Sequence, residues 1–283
     1  MEKLAIVNAD DLGFSQGTTD GIVRAHRDGI VTSTTIIANG PAAEAAAGQI
    51  GALPGLGVGV HLNVCQGRPL SKAGAALAGE DGLMRHTGMG LLAACVVRPW
   101  LLGAVEAEFD AQIRWALDHG IRPTHLDSHR HSHGFPPIFA VAGRLARRYK
   151  VPYLRWHGEW LPGGGWPAVE CKQRGISAVL GLFGVIDRLL APDLRATRGT
   201  WGIAHTGRID EHFLVRASAA IRPGVTEIMV HPGLPDDPDG PAQAGLETRL
   251  VASRQAELDA LCRPAVRDAF SRNSVRLVHY GQI

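Results

Sequence analysis

The 283 residues suffice for one large α/β domain or two small ones, and a (β/α) barrel uses about 250. A composition 45% hydrophobic and 20% charged is that of a globular chain with a substantial core, which sets aside a disordered or fibrous protein. A net charge of +2 demands neither nucleic acid nor an anionic surface as partner.

The elements follow in chain order. Leu4 to Asn8 reads as a strand and Thr18 to Arg27 as a helix ending at Gly29. Thr34 to Ala38 is a second strand, Pro41 to Leu53 a helix with proline near its first turn, and Val58 to Leu62 a third strand. The stretch at about 67–102 reads as an irregular, Gly-rich insertion over the rim. Ala104 to His119 is a helix, Pro123 to Asp127 a strand, Phe135 to Tyr149 a helix and Val151 to Trp156 a strand. Ile176 to Leu190 reads as helix, Thr200 to Ala204 as strand, Glu211 to Ile221 as helix and Thr226 to Val230 as strand. One or two helices fill Leu246 to Ser271, and Val275 to Tyr280 is a last strand. About eight strands, nearly all separated by helices, imply parallel pairing in a single-domain α/β fold, a distorted or partly open TIM-like barrel.

Cys65, Cys95, Cys171 and Cys262 are far apart and form no C-x-x-C pair, which suggests buried reduced thiols and a cytoplasmic protein. Met1-Glu2-Lys3 leads into the first strand without a secretory signal. The most apolar run, Leu91 to Leu102, is broken by Arg98-Pro99 and too short to span a bilayer, although it permits a peripheral contact with lipid. The acidic run from Pro235 to Gly240 lacks the spacing of a calcium loop and reads as a solvated turn.

In parallel barrels the chemistry sits where strands end. Asp10 and Asp11 follow the first strand, His61 ends the third with Asn63 beyond it, and His125, Asp127, His129, His131 and His133 crowd the fourth. Arg155 and His157 follow the fifth, His205 the sixth and His231 the seventh. Ten of the 13 histidines fall at or near such positions. Imidazoles and carboxylates from separated positions form the ligand set of a divalent ion, with zinc, iron, cobalt and manganese all feasible. Singly, each residue has a plainer reading: Asp10-Asp11 as a helix cap, His61 as a core histidine, His231-Pro232-Gly233 as a strand-ending turn.

Asn8-Ala9-Asp10-Asp11, Gly29 to Thr35, Gly59-Val60-His61-Leu62-Asn63, Thr124-His125-Leu126-Asp127-Ser128-His129 and His231-Pro232-Gly233 resemble, in order, the YdjC-like carbohydrate deacetylases. The resemblance runs from residue 4 to about 235. It implies a distorted (β/α) barrel that hydrolyses the N-acetyl group of an N-acetylglucosamine-containing carbohydrate with one divalent ion, zinc or magnesium. Carried over, the ligands are Asp11, His61 and His125, the general base is Asp10 and the general acid is His231. Asp127, His129 and His131 become candidates for orienting the ligands or holding sugar hydroxyls, and Arg155, Trp156 and Trp160 for the sugar-binding rim. Arg130 stands where the family often has histidine, which bears on the sugar pocket. Relatives imply a homodimer.

Two other readings use the same residues. A metal-dependent phosphoesterase would add acids for a second metal or a Gly-rich phosphate loop, and neither is evident. A noncatalytic sugar- or metal-binding protein would not require Asp10 and His231. The apolar stretches at 91–105 and 176–191 extend the substrate candidates from soluble chitooligosaccharides to a lipid-linked amino sugar.

Overall fold

The computed structural model describes residues 1–161, 165–169, 171–235 and 239–283. Its spine is β1 (Lys3–Leu12), ten residues long and buried from Ala5 onward. Parallel pairing extends from it through β2 (Ser33–Ile36), β3 (Gly57–Leu62), β6 (His125–Ser128) and β7 (Tyr153–Leu154) on one side. On the other side lie β9 (Gly224–Val230) and β8 (Thr200–Trp201). β10 (Val275–Leu277) pairs with residues 3–5 of β1, below the stretch from Asn8 to Leu12 that pairs with β2. The sheet curls into a partial barrel; among the described residues no ladder joins β7 to β8.

Helices alternate with the strands, as parallel connections require. α1 (Gln16–Arg27) follows β1, capped by the Ser15 hydroxyl, which accepts from the Thr18 amide, and α2 (Ala43–Ile50) follows β2. α3 (Gly88–Val97) and α4 (Leu101–Asp118) precede β6, and α5 (Pro136–Arg148) joins β6 to β7. α6 (Cys171–Leu190) and α7 (Glu211–Ala220) flank β8. α8 (Asp239–Gln243), α9 (Val251–Leu261) and α10 (Pro264–Arg272) lead to β10. One continuous core joins strand residues Val7, Val60, Leu126 and Ile228 to Phe109, Ile138, Phe213 and Leu258 from the helices.

The expected elements are present, with instructive differences. β1 runs to Leu12, so Asp10 and Asp11 lie inside the strand rather than after it. The insertion is more regular than its glycines suggest. It holds an antiparallel pair, β4 (Gln66–Gly67) with β5 (Met84–Arg85), a 3₁₀ turn at Ala73–Leu77, and α3. Pro264 divides the last helical stretch, because it supplies no amide donor and suits only a first turn. β10 stops at Leu277, and a 3₁₀ turn follows at Tyr280–Gln282. All four cysteines are free, but only Cys65 and Cys95 are buried; Cys171 is exposed. The acidic loop lies largely outside the described residues, with Pro235 exposed and Asp239 opening α8.

α6 buries an acid, Asp187, whose carboxyl oxygens have no hydrogen-bond partner among the described residues. Burial raises its pKa from 3.8 to about 8. The folded chain therefore holds a proton that the unfolded chain releases near pH 4. Stability contributed by the neutral carboxyl is lost as pH rises from about 4 through 8. Asp187→Asn removes that loss, so the excess of its Tm over the parent's grows between pH 5 and pH 9 in calorimetric scans.

Candidate metal and catalytic site

Successive residues of a regular strand point to opposite faces, so Asp10 and Asp11 should not share one site. They do because β1 is irregular there. The β1–β2 register shifts between Ala9 and Leu12, and Asp11 takes φ 73°, a left-handed conformation that aspartate tolerates better than most residues. The strand end thus presents two neighbouring carboxylates to the same group of side chains, and each finds a different cation.

Asp10 is clasped bidentately by Arg155, with Nη1–Oδ2 and Nη2–Oδ1 both 2.7 Å, and accepts from Asn8 Nδ2 at 2.8 Å. Arg155 is 1% exposed and also reaches Asp127 Oδ2 at 2.9 Å and Glu227 Oε1 at 2.6 Å. It is a buried hub among three carboxylates, not part of a sugar-binding rim. Burial would raise the Asp10 pKa, but the Arg155 charge and hydrogen bonds override it and hold the carboxyl well below the usual range. Burial likewise raises Glu227, and Arg155 opposes that rise only in part.

Asp11 meets a different set. His129 Nδ1 lies 3.1 Å and His61 Nε2 3.3 Å from Asp11 Oδ1, and Arg254 Nη2 donates to Oδ2 at 2.6 Å. Burial opposes ionisation, but Arg254 and the two imidazoles keep Asp11 well below the usual carboxylate range. His61 Nδ1 donates to Asp127 Oδ1 at 2.8 Å, and Asp127 is held in turn by the Thr35 hydroxyl at 3.0 Å. With the far nitrogen of His61 on Asp127 and that of His129 3.0 Å from Gln66 Oε1, one nitrogen of each ring is left toward Asp11. Two ring nitrogens 3.1–3.3 Å from one carboxylate oxygen call for positive charge between them, supplied by protons or by a metal ion. The spacing suits one ion, since donors about 2.1 Å from a tetrahedral centre stand about 3.4 Å apart. Ligand atoms of Asp11, His61 and His129 all lie within 4.8 Å of one another. Burial disfavours the charged form of His61, yet Asp127, Asp11 and Asp10 lift its pKa to about 10, so protons and metal compete for this position.

The structure does not bring His125 into this group. His125 opens β6, two residues before Asp127, and Asp127 rather than His125 is in register with His61. Two residues of strand are about 6.6 Å, so His125 faces the same way one layer lower. There Nε2 lies 3.0 Å from Asn8 Oδ1, Nδ1 lies 3.0 Å from the Thr124 hydroxyl, and the ring stacks on Tyr280 at 3.9 Å. Burial pushes it well below its ordinary pKa, so it is a neutral layer-filling imidazole. Gly59 lies beneath it: a Cβ there would come 2.5 Å from the His125 carbonyl and 2.6 Å from the ring. Gly59→Ala is expected to destabilise the fold by about 1–3 kcal/mol, measurable by urea unfolding.

The remaining predicted residues divide between site and scaffold. His231 follows β9, buried, with Nδ1 unpartnered among the described residues, and burial lowers its pKa to about 4. Its amide donates to Glu257 Oε2 at 2.7 Å, and burial lifts Glu257 to about 7. His131 lies in the turn after β6, where it and Arg130 both take positive φ, and its Nδ1 lies 3.2 Å from His157 Nε2. Burial lowers His131 to about 3, with Arg155, Asp10 and His231 among its charged or titrating neighbours. Asn63 is scaffold: its side chain accepts from the amides of Cys65 and Gln66 and donates to Asn39 Oδ1 and the Gln66 carbonyl, folding the exit from β3. Glu227, Arg254 and Glu257 escape the sequence reading. Glu227 had a signal, a lone acid inside the apolar run Thr226 to Val230. Arg254 and Glu257 sit on an ordinary helical pattern of α9 and had none.

The profile of the YdjC-like protein family matches residues 4–272. A carbohydrate deacetylase of Geobacillus stearothermophilus is 42% identical over 152 residues, 54% of this chain and 59% of that protein. The aligned region thus spans about three-fifths of that relative's length. A chitooligosaccharide deacetylase of Salmonella typhimurium is 34% identical over 281 residues, covering 98% of this chain and 97% of that one. A crystal structure from Enterococcus faecalis V583, described as a candidate cellobiose-phosphate cleavage protein, superposes with a TM-score of 0.81 at 26% identity, covering 100% of this chain and 99% of that one. With the profile spanning nearly the whole length and the strand-end residues arranged as described, the chain belongs to the YdjC-like protein family.

Proposed function

We propose that this protein is a metal-dependent deacetylase that hydrolyses the N-acetyl group of an N-acetylglucosamine-containing carbohydrate, soluble or lipid-linked, releasing acetate and a free amine. The observation that carries the reading is the split of two adjacent acids: Asp11 converges with His61 and His129 on one point, and Asp10 stands beside them on Arg155. The assignment of metal ligands is therefore Asp11, His61 and His129. Two imidazoles and one carboxylate favour zinc over magnesium. A divalent ion bound there would acidify water and polarise the acetyl carbonyl.

The other residues supply proton handling. Asp10, fixed by Arg155 and Asn8, serves as the general base that takes the proton of the attacking water. Its low pKa keeps it ionised, so it passes the proton on and does not store it. His231 protonates the departing amine nitrogen. Its ring is neutral at rest, so the proton that it delivers is gained during turnover. The two-metal phosphoesterase loses support, because Arg155 already contacts Asp10 and Asp127 of the second possible grouping, Asp10, His61 and Asp127.

The test is acetate release over a panel of N-acetylated sugars with and without a chelator; activity that ignores the chelator refutes the mechanism. Leaving-group chemistry isolates His231. His231→Ala is expected to lower amide hydrolysis roughly 10²- to 10⁴-fold, yet to spare most hydrolysis of an aryl acetate, whose phenolate leaves without a proton. Equal losses on both substrates would remove the acid role.

A further inference from the structure

α6 is amphipathic the wrong way round. Its buried positions include Gln173, Gly184 and Asp187, an acid unpartnered among the described residues, with Leu180 the one large aliphatic among them. Its exposed side carries Ile176, Val179, Leu182, Val185, Ile186, Leu189 and Leu190, from 38% to 77% exposed. A helix facing water normally reverses this distribution. The exposed charges on α6 are all basic, namely Lys172, Arg174 and Arg188, and its only acid is buried. A second apolar corner, Val96-Val97-Arg98-Pro99-Trp100, is exposed throughout, with Trp100 at 70%.

α6 adjoins the site, and α3 begins beside it. The Phe183 ring of α6 packs on Phe135 at 5.8 Å, and Phe135 also lies against Gly88, where α3 begins on its way to the 96–100 corner. On its inner side α6 rests on Gly134 and on the His157 backbone, next to the His131–His157 pair. The exposed face is thus the outer surface of a wall of the candidate site.

We propose that this face seats the protein on an anionic lipid surface, with the aliphatic stripe of α6 in the interfacial region and Lys172, Arg174 and Arg188 among the headgroups. Exposed aliphatic side chains on a helix whose own exposed charges are all basic form the surface of a helix that lies in a bilayer interface. No helix among the described residues is long and apolar enough to cross a membrane, so the face lies on the bilayer. A two-fold pairing of this surface with itself would set Lys172, Arg174 and Arg188 against the same cations, with no exposed acid on α6 to offset them. The docking stands apart from the deacetylase reading; only its consequence, access to a sugar still carried on its lipid, rests on that reading.

The experiment is co-sedimentation of the full chain with phosphatidylglycerol vesicles and with phosphatidylcholine vesicles. The parent is expected to pellet with the anionic vesicles and to be released as salt rises. Leu182→Glu/Leu189→Glu should lower vesicle affinity roughly tenfold or more, and Lys172→Gln/Arg174→Gln about fivefold per charge removed. Circular dichroism and acetate release from soluble N-acetylchitobiose report whether each variant folds, and both are expected to match the parent. Failure of the parent to pellet with anionic vesicles overturns the proposal, as does unchanged pelleting of the glutamate variant. A dimer in sedimentation velocity that these substitutions dissociate, without vesicle binding, also overturns it and assigns the face to self-association. Absence of acetate release from every substrate would refute the deacetylase reading and leave the docking result standing.

Discussion

Asp10→Asn is expected to lower acetate release roughly 10²- to 10⁴-fold while dialysed protein keeps the parent's metal content. The substitution keeps the shape of the side chain, and one oxygen can still accept from Arg155. It removes the charge and hence the capacity to take a proton. Arg155 retains Asp127 and Glu227 as partners, so the buried guanidinium is not left alone. Metal retention is the informative half. If the metal left with the activity, Asp10 would be a ligand and the division of labour between the two acids would be reversed. If turnover stayed near the parent's, another group would be the base. Asp11→Asn should behave oppositely, losing metal first, because its carboxylate is the one anion shared by His61 and His129.

The second large effect separates two histidines of one motif. His129→Ala should weaken metal binding by at least the 10- to 100-fold that loss of an outer partner costs, and His61→Ala should do the same. His125→Gln should leave metal affinity close to the parent's, because the ring spends its nitrogens on Asn8 and Thr124 one layer below. Its cost is expected in stability, through the lost stacking on Tyr280. Isothermal titration with zinc and a thermal melt on each variant decide the matter. A His125 variant that loses zinc while remaining folded would restore the ligand set implied by the family resemblance. Titration in two buffers of different ionisation enthalpy should also register proton release, since zinc displaces the proton that His61 holds up to about pH 10 in the metal-free site.

Much of this site is legible in the chain. Alternating strands and helices dictate a parallel sheet, and parallel sheets gather their chemistry where strands end. Asp10, Asp11, His61, His125 and His231 stand among the strand-end residues on that ground, their separate roles come from the family resemblance, and the structure holds Asp10, Asp11 and His61 within one network. The differences have specific causes. A strand reading assigns residues to faces by a period of two but gives no height along the barrel, so His125 and His129, four residues apart, were interchangeable. The turn after β6, with Arg130 and His131 at positive φ, has no glycine to announce it. For Arg155 the chain leaves a place at the rim and packing in the core both open, and what decides for burial is three carboxylates from residues 10, 127 and 227.

By itself, then, the sequence determined the class of fold, the end of the sheet that gathers the candidate site, and the kinds of side chain found there. Those follow from local patterning: apolar period, helix–strand alternation, and the placement of imidazoles and carboxylates after apolar runs. Only the tertiary structure decided which nitrogen faces which oxygen. That depends on a bulge in β1, on the register of β3 against β6, and on two buried arginines, Arg155 and Arg254, that divide the adjacent acids into a charge held by protein and a charge that also faces two imidazoles. The reason is physical: Coulomb energy and ligand geometry turn on separations of a few ångströms between residues distant in the chain, and no local pattern encodes such a distance.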